Sequence, residues 1–232
     1  MSDLRIALVA EGPTEREVLK AALDAILSPR TFELIQLQPE ITQPKFGGGW
    51  GGVLKWCKDV AKRHHGPLSE DPTLAGFDAI VLHLDADVAG FSYAGVGFGD
   101  DQIEVHWLGL PCANPCPPET AAASALHAVL LSWLHPAWPG PTCIVWLPAM
   151  NTGSWIAAAT LPAGHPLLAD LECRLDIEVQ LAQLPLRQRF RKTRADVLRA
   201  ALRITANWPQ VAERCSRARQ LAGDTLTALH LH

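Results

Sequence analysis

The stretch from Val81 to Gly90, "VLHLDADVAG", decides how this chain is read. It opens in the apolar run Ala79-Ile80-Val81-Leu82, of the kind that forms a buried strand, and ends in Asp85 and Asp87 with one alanine between them. Side chains alternate along a strand with period two, so the two carboxylates, if the strand continues through them, project from one face. Like charges that close repel and cost stability without a partner. The pattern calls for something positive between or beside them.

Upstream, Leu4 to Ala10, "LRIALVA", is a second strand run, apolar but for Arg5, that stops at "EGPTERE". Thr14 followed by Glu17 has the T-x-x-E form of a capping box, and Val18, Leu19, Ala22, Leu23 and Ile26 recur at helical spacing, predicting a helix from about Glu15 to Leu27. A strand is expected from Phe32 ("FELIQLQP"). The glycine-rich "KFGGGWGG" then leads into a helix from about Gly52 to His64. Downstream of the central strand, "IEVHWLG" is expected to be another strand or an extended piece, Glu119 to Trp133 helical, and "CIVWLPA" a strand. From Ser154 to Arg219 the periodicity is mostly helical, with Val197, Leu198, Ala201, Leu202, Thr205 and Trp208 on one face.

Strands that alternate with helices and are apolar on both faces imply an α/β fold: a mainly parallel sheet flanked by helices, with a helical C-terminal extension. The composition divides it into a body over 1–150 and a helical basic extension over 151–232. Functional residues in such sheets gather at the carboxyl ends of the strands. Glu11 follows the first strand and Asp85 and Asp87 follow the central one. If those strands are parallel neighbours, three carboxylates meet at one edge.

The net charge of −4 conceals an asymmetry. Leu186 to Arg219 holds ten basic residues against Asp196 and Glu213, so this segment carries +8 and the rest −12. A basic tail beside an acidic body suits a polyanion held near a metal, and equally a solvated helical face or a patch docked on the body. No stretch has the roughly 20 apolar residues of a membrane span. Met1-Ser2-Asp3-Leu4-Arg5 does not begin a signal peptide. A cytoplasmic chain is expected, with its six cysteines reduced and no membrane partner.

Three carboxylates at one edge suit a hard divalent ion, Mg2+ or Mn2+, which takes oxygen ligands. At such a site an ion can activate water, stabilise a leaving oxygen, or both. Asp85 and Asp87 are the candidate ligands and Glu11 a ligand or general base. Glu15 is an accessory ligand or a first-turn helix charge, and Glu17 the capping-box partner. Arg191, Lys192 and Arg194 are candidate phosphate contacts. The run Gly47 to Gly52 is a phosphate loop or a plain flexible loop and fits no nucleotide fingerprint. His83 is either a partner that supports the carboxylates from behind or a core histidine, and His64 and His65 end a helix. Cys112 and Cys116 lack the partner pair a zinc site needs.

"ALVAEGPTERE" followed at a distance by "VLHLDADV" resembles the TOPRIM domain of topoisomerases, primases and overcoming-lysogenization-defect nucleases, whose motif is Glu-Gly after the first strand and Asp-x-Asp after a later one. The chain is similar over most of its length to a bacterial TOPRIM-like family of unknown function. The shared motifs are Glu11 to Glu15, Pro115 to Pro118, "NTGSWIAA" and "RKTRADVLRAA". The resemblance implies a Mg2+-dependent nuclease acting on nucleic acid, beside an ATPase partner, in defence against phage or plasmid. Where relatives carry Glu two positions before the Trp, this chain has Gly153. That departure keeps a second reading open, a non-catalytic subunit that binds nucleic acid or regulates a partner. Strand joining would need a tyrosine nucleophile, and the only tyrosine is Tyr93 in a glycine-rich loop.

Overall fold

The computed structural model describes residues 3–40, 45–111, 116–117 and 121–231. The chain runs β1 (Leu4–Val9), α1 (Pro13–Ile26), β2 (Phe32–Gln38), α2 (Gly49–Arg63), β3 (Ala79–His83), α3 (Ala121–Leu134) and β4 (Cys143–Trp146). Helices follow: α4 (Gly153–Thr160), α5 (Ile177–Gln183), α6 (Arg194–Ala206), α7 (Trp208–Arg214) and α8 (Ser216–Ala228). The four strands form one parallel sheet in the order β2-β1-β3-β4.

Both faces of the sheet are covered, which is why β1 and β3 are apolar at every core position. Ile6, Leu8 and Val81 point into a core shared with α1 and with α4 through α8. Ala7, Val9, Ile80 and Leu82 point into a second core built with α2 and α3. With no wet face available, a polar group on these strands would lose its water, so polar residues are displaced to the strand ends. The chain steps from β1 to β2 on one side and returns to β3 on the other. The strand order therefore reverses between β1 and β3, and the crevice at their carboxyl ends is the switch point where such sheets bind ligands.

Several expectations are corrected. Residues 103–109 form no strand but turns and irregular chain. Helix α1 is not opened by a Thr14–Glu17 capping box: Gly12 is its N-cap and Pro13 starts it, because the fixed φ of proline suits the first helical position. Glu17 pairs with Arg16 instead. On α6 the buried face is Val197, Ala200 and Ile204, while Leu198 and Leu202 face solvent at 44% and 75% exposure. The small Ala200 lets α6 sit close, and Thr205 Oγ1 donates to Ala21 O at 2.9 Å, fixing that face on α1. Trp208 belongs to α7, whose first turn accommodates Pro209 because a backbone N–H there has no helical acceptor to lose. Glu119, like Pro115 and Pro118, lies outside the described residues.

The first core runs from the strands into α4 through α8 without interruption, so the division near residue 150 marks a change from alternating strands to helices alone. Among the described residues no helix is long and apolar enough to cross a membrane.

The approach to β3 is fixed by a buried carboxylate. Asp71 Oδ1 accepts both the N–H and the Oγ1–H of Thr73 at 2.8 Å, and Oδ2 lies 3.1 Å from Arg63 at the end of α2. Burial works against its charge, but the Thr73 bonds and Arg63 more than offset this and hold the carboxyl below the ordinary range. A carboxyl depressed in the folded state stabilises it above the unfolded value, near pH 4, and that gain is lost as pH falls through the folded value. Asp71→Asn is expected to cost about 1–3 kcal/mol at pH 7. The difference from wild type should shrink below pH 4, as urea titrations at pH 7 and pH 3 would record.

Candidate functional site

At the switch point the first strand ends at Val9, and Ala10 leads from it to Glu11. Gly12 beside it is extended, and a Cβ there would come within 3.0 Å of Glu15 Oε2, so the missing side chain leaves room for Glu15 to lie over the turn. Strand β3 ends at His83. Leu84 N–H still donates to Trp146 O at 3.3 Å, Asp85 leaves the ladder, and Ala86–Val88 form a single 3-10 turn with Asp85 as its N-cap. The two aspartates therefore do not share a strand face by period two, as the sequence pattern suggested. The turn sends them apart in role. Asp85 is buried, and its backbone N–H donates to Glu11 Oε1 at 2.8 Å. Asp87 is partly buried; its N–H donates to Met150 O at 2.9 Å, and Asn151 Nδ2 approaches Asp87 Oδ2 at 3.4 Å. The parallel pairing of β1 and β3 does bring Glu11 to the Asp-x-Asp turn.

Around this turn the charge is concentrated and poorly hydrated. Loss of water, then the charge of Asp85, push the Glu11 carboxyl up to about 8. Burial, followed by the charges of Glu15, Asp87 and Glu178, raises Asp85 well above the usual range, and burial together with Glu178 raises Asp87. His83 is fully buried against Trp146, ring centroids 4.3 Å apart, and burial lowers its pKa. Its Nε2 lies 3.2 Å from Asp85 Oδ1 but is not aligned as a hydrogen bond, so that buried carboxylate oxygen has no hydrogen-bond partner among the described residues.

The positive charge that the Asp-x-Asp pattern calls for comes from the connection between α5 and α6. Lys192 Nζ bonds Glu178 Oε2 at 2.8 Å. Burial opposes its charge, yet Glu178, Glu15 and Asp85 raise its pKa. Lys192 is placed by the cap that follows it: Thr193 Oγ1 accepts the Asp196 N–H at 3.2 Å, and Asp196 accepts the Arg191 N–H at 2.9 Å. Lys192 and Arg194 border a cleft of about 540 Å³ with Pro13, Thr14, Glu17 and Val197. Arg191 lines the neighbouring cleft with Glu178. The basic segment is divided. Arg187, Arg189, Arg199 and Arg203 line a different cleft beside Thr160, away from Pro13 and Thr14.

Other candidates find structural places. The run Gly47 to Gly52 carries the start of α2 against the Glu11 turn: Gly49 N–H donates to Glu11 O at 2.8 Å and Gln38 Nε2 to Gly47 O at 2.6 Å, so the run is bound to the Glu11 backbone and the Gln38 side chain. His64 Nε2 lies 2.9 Å from Pro67 O. Tyr93 is buried, with its hydroxyl between Leu108 O and Trp133 Nε1. Cys116 is disulfide-bonded to Cys173, contrary to the expectation of reduced thiols; the fold brings their Cα atoms to 5.5 Å across 57 residues of sequence, which no local motif announces. Cys112 lies outside the described residues. Asn151 and Glu178 are site residues that the sequence pattern did not mark. Asn151 stands inside the quoted "NTGSWIAA", whereas Glu178 has no motif around it.

Among the described residues no three His, Cys, Asp or Glu side chains are already gathered as a metal cage. The donor set is nonetheless the kind a hard divalent ion takes. It is all oxygen, and it includes a buried Asp85 oxygen without a hydrogen-bond partner.

Charge crowding and backbone support can be separated by substitution. Glu11→Gln keeps an oxygen for the Asp85 N–H and can never take up a like charge, so ion-free protein is expected to melt at or above the wild-type temperature. Glu11→Ala strands a backbone donor and is expected to cost about 1–2 kcal/mol. Thermal melts in chelator would show Glu11→Ala below wild type and Glu11→Gln not below it.

Compared with models of protein families, with curated proteins and with solved structures, the chain finds no match.

Proposed function

We propose that this chain is a TOPRIM-like nuclease, dependent on Mg2+ or Mn2+, that cleaves phosphodiester bonds of nucleic acid. One observation carries the reading: Glu11 and the Asp85–Asp87 turn converge at the sheet's switch point, with Glu11 bonded to the Asp85 backbone and an Asp85 oxygen buried without a hydrogen-bond partner. Asp85 and Asp87 would hold the ion, with Glu15 beside them. A divalent cation bound there would polarise the phosphate ester and an attacking water. Glu11 has committed Oε1 to the Asp85 N–H, which keeps Oε2 for the ion or for the proton of the water. His83 and Trp146 close the floor of the site against solvent. Lys192 and Arg194, on the rim of the cleft beside Thr14, support a phosphate backbone lying across that edge, with Arg191 next to them. The resemblance to TOPRIM-like proteins extends this proposal to defence against phage or plasmid with an ATPase partner.

A second reading, a binding or regulatory subunit, is favoured by one feature. Gly153 offers no carboxylate where the family that the chain resembles carries Glu, and Lys192 already supplies a cation to the cluster. Cleavage of single- and double-stranded DNA and RNA with Mg2+ or Mn2+, with and without candidate ATPases, decides between them. The nuclease is expected to lose about 100-fold or more of its rate in Asp85→Asn. Cutting by that variant at the wild-type rate would remove the mechanism. Wild-type protein that binds nucleic acid and cuts none would leave the regulatory reading.

Replacing Arg191, Lys192 and Arg194 together with alanine tests the rim. For every phosphate that loses its basic partner, the slope of log affinity against log salt is expected to fall by about 0.9 on duplex DNA. A slope unchanged in the triple variant would take these residues out of the interface.

A further inference from the structure

Gly153 and Glu178 compete for one volume. A Cβ on Gly153 would lie 2.6 Å from Glu178 Cγ, 2.8 Å from Asn151 Oδ1 and 3.0 Å from Ile177 Cγ2. A side chain at 153 and Glu178 in its present place exclude each other. Glu178 stands on α5, a helix outside the sheet, packed against Gly153 beside Asn151, the residue whose Nδ2 approaches Asp87. Its Oε2 is bonded to Lys192, while Oε1 is buried and has no hydrogen-bond partner among the described residues. Asp85 Oδ1, on a residue 7% exposed, is in the same condition. The charges of both Glu178 and Lys192 are felt at Asp85 and Asp87.

Building on the ion-site reading above, we propose that Glu178 is a further carboxylate of that site and that Lys192 is the cation it holds until the ion enters. An ammonium bonded to Glu178 offsets the mutual repulsion of Glu15, Asp85, Asp87 and Glu178. A divalent ion does the same more strongly and repels the ammonium. Lys192 and the ion are therefore alternatives, and Glu178 serves both. The side chain of Lys192 is 51% exposed and that of Glu178 23%, so the exchange needs a rotamer change and no unfolding. Once released, Lys192 remains on the rim beside Arg194, where a phosphate is its natural partner. The α5–α6 connection thus couples ion loading to anion binding.

Mn2+ binding to the full chain, followed by electron paramagnetic resonance of the free ion and by calorimetry, tests this without any activity assay. Lys192→Met is expected to bind Mn2+ about tenfold or more tighter than wild type, since a nearby repelling charge is removed. It should also melt lower without ion and recover with Mn2+. Lys192→Arg should keep the wild-type affinity, and Glu178→Gln should weaken binding about tenfold. Lys192→Gln replaces the Met variant if that chain does not fold, with the same shift expected. If Lys192→Met and Glu178→Gln both bind as wild type while Asp85→Asn binds weakly, the ion site stands and this inference falls. If wild type and Lys192→Met both fail to bind Mn2+ at millimolar concentration, the ion-site reading falls and takes the inference with it.

Discussion

The parallel pairing of β1 with β3 is the constraint on which the rest depends. Its register, Ile6 with Ala79 through Val9 with Leu82, ends both strands at the same level. Whatever follows Val9 and whatever follows His83 must therefore meet. The meeting is sealed by a hydrogen bond, the Asp85 N–H to Glu11 Oε1, which needs a carboxyl or amide at 11 and a chain that has already left the ladder at 85. A one-residue slip of β3 would turn Ile80 and Leu82 onto the opposite face, so the two cores hold the register that sets the site.

A second constraint is electrostatic. Glu11, Glu15, Asp85, Asp87 and Glu178 affect one another in a region with little water. Such a set is unstable unless cations or protons offset it. The fold supplies one cation from outside the sheet, through a capped helix start at Thr193 that orients Lys192. The repulsion among these carboxylates is thus relieved from the C-terminal helices, and the floor of the site is backed by the Trp146, Trp155 and Trp208 rings that link β4, α4 and α7.

What the sequence reveals follows the range of the forces involved. Apolar runs at 4–10 and 79–82 announce strands buried on both faces, and the order of strand and helix announces a parallel sheet, so the convergence of Glu11 with Asp85 and Asp87 could be read directly. The end of β3 could not, because Leu84 is as apolar and as buried as the residues before it. Pro13 outweighed the Thr14–Glu17 pattern because a fixed φ acts on the backbone itself, whereas a capping side chain needs the helix to start later, after Thr14. On α6, Leu198 and Leu202 are decoys of hydrophobicity; close approach to α1 and α4 selects the small Ala200 instead. Glu178 was invisible because its place is defined by the absence of a side chain at Gly153, a relation that exists only in three dimensions.

The seating of α6 on α1, fixed by Thr205 on the Ala21 carbonyl, bears on how the chain leaves the ribosome. Ala21, Ala22 and Val18 belong to a core whose other wall is Ile204, Val211 and Leu221. A nascent chain that has emerged only through β4 has all four strands but cannot dry the outer side of α1. It must hold that apolar surface in water, exposed to chaperones and to neighbouring nascent chains, until the last third of the protein is synthesised. The carboxylate edge is unfinished for the same interval, since Glu178 and Lys192 arrive with that last third. Synthesis therefore completes the hydrophobic core and the charge balance of the site together.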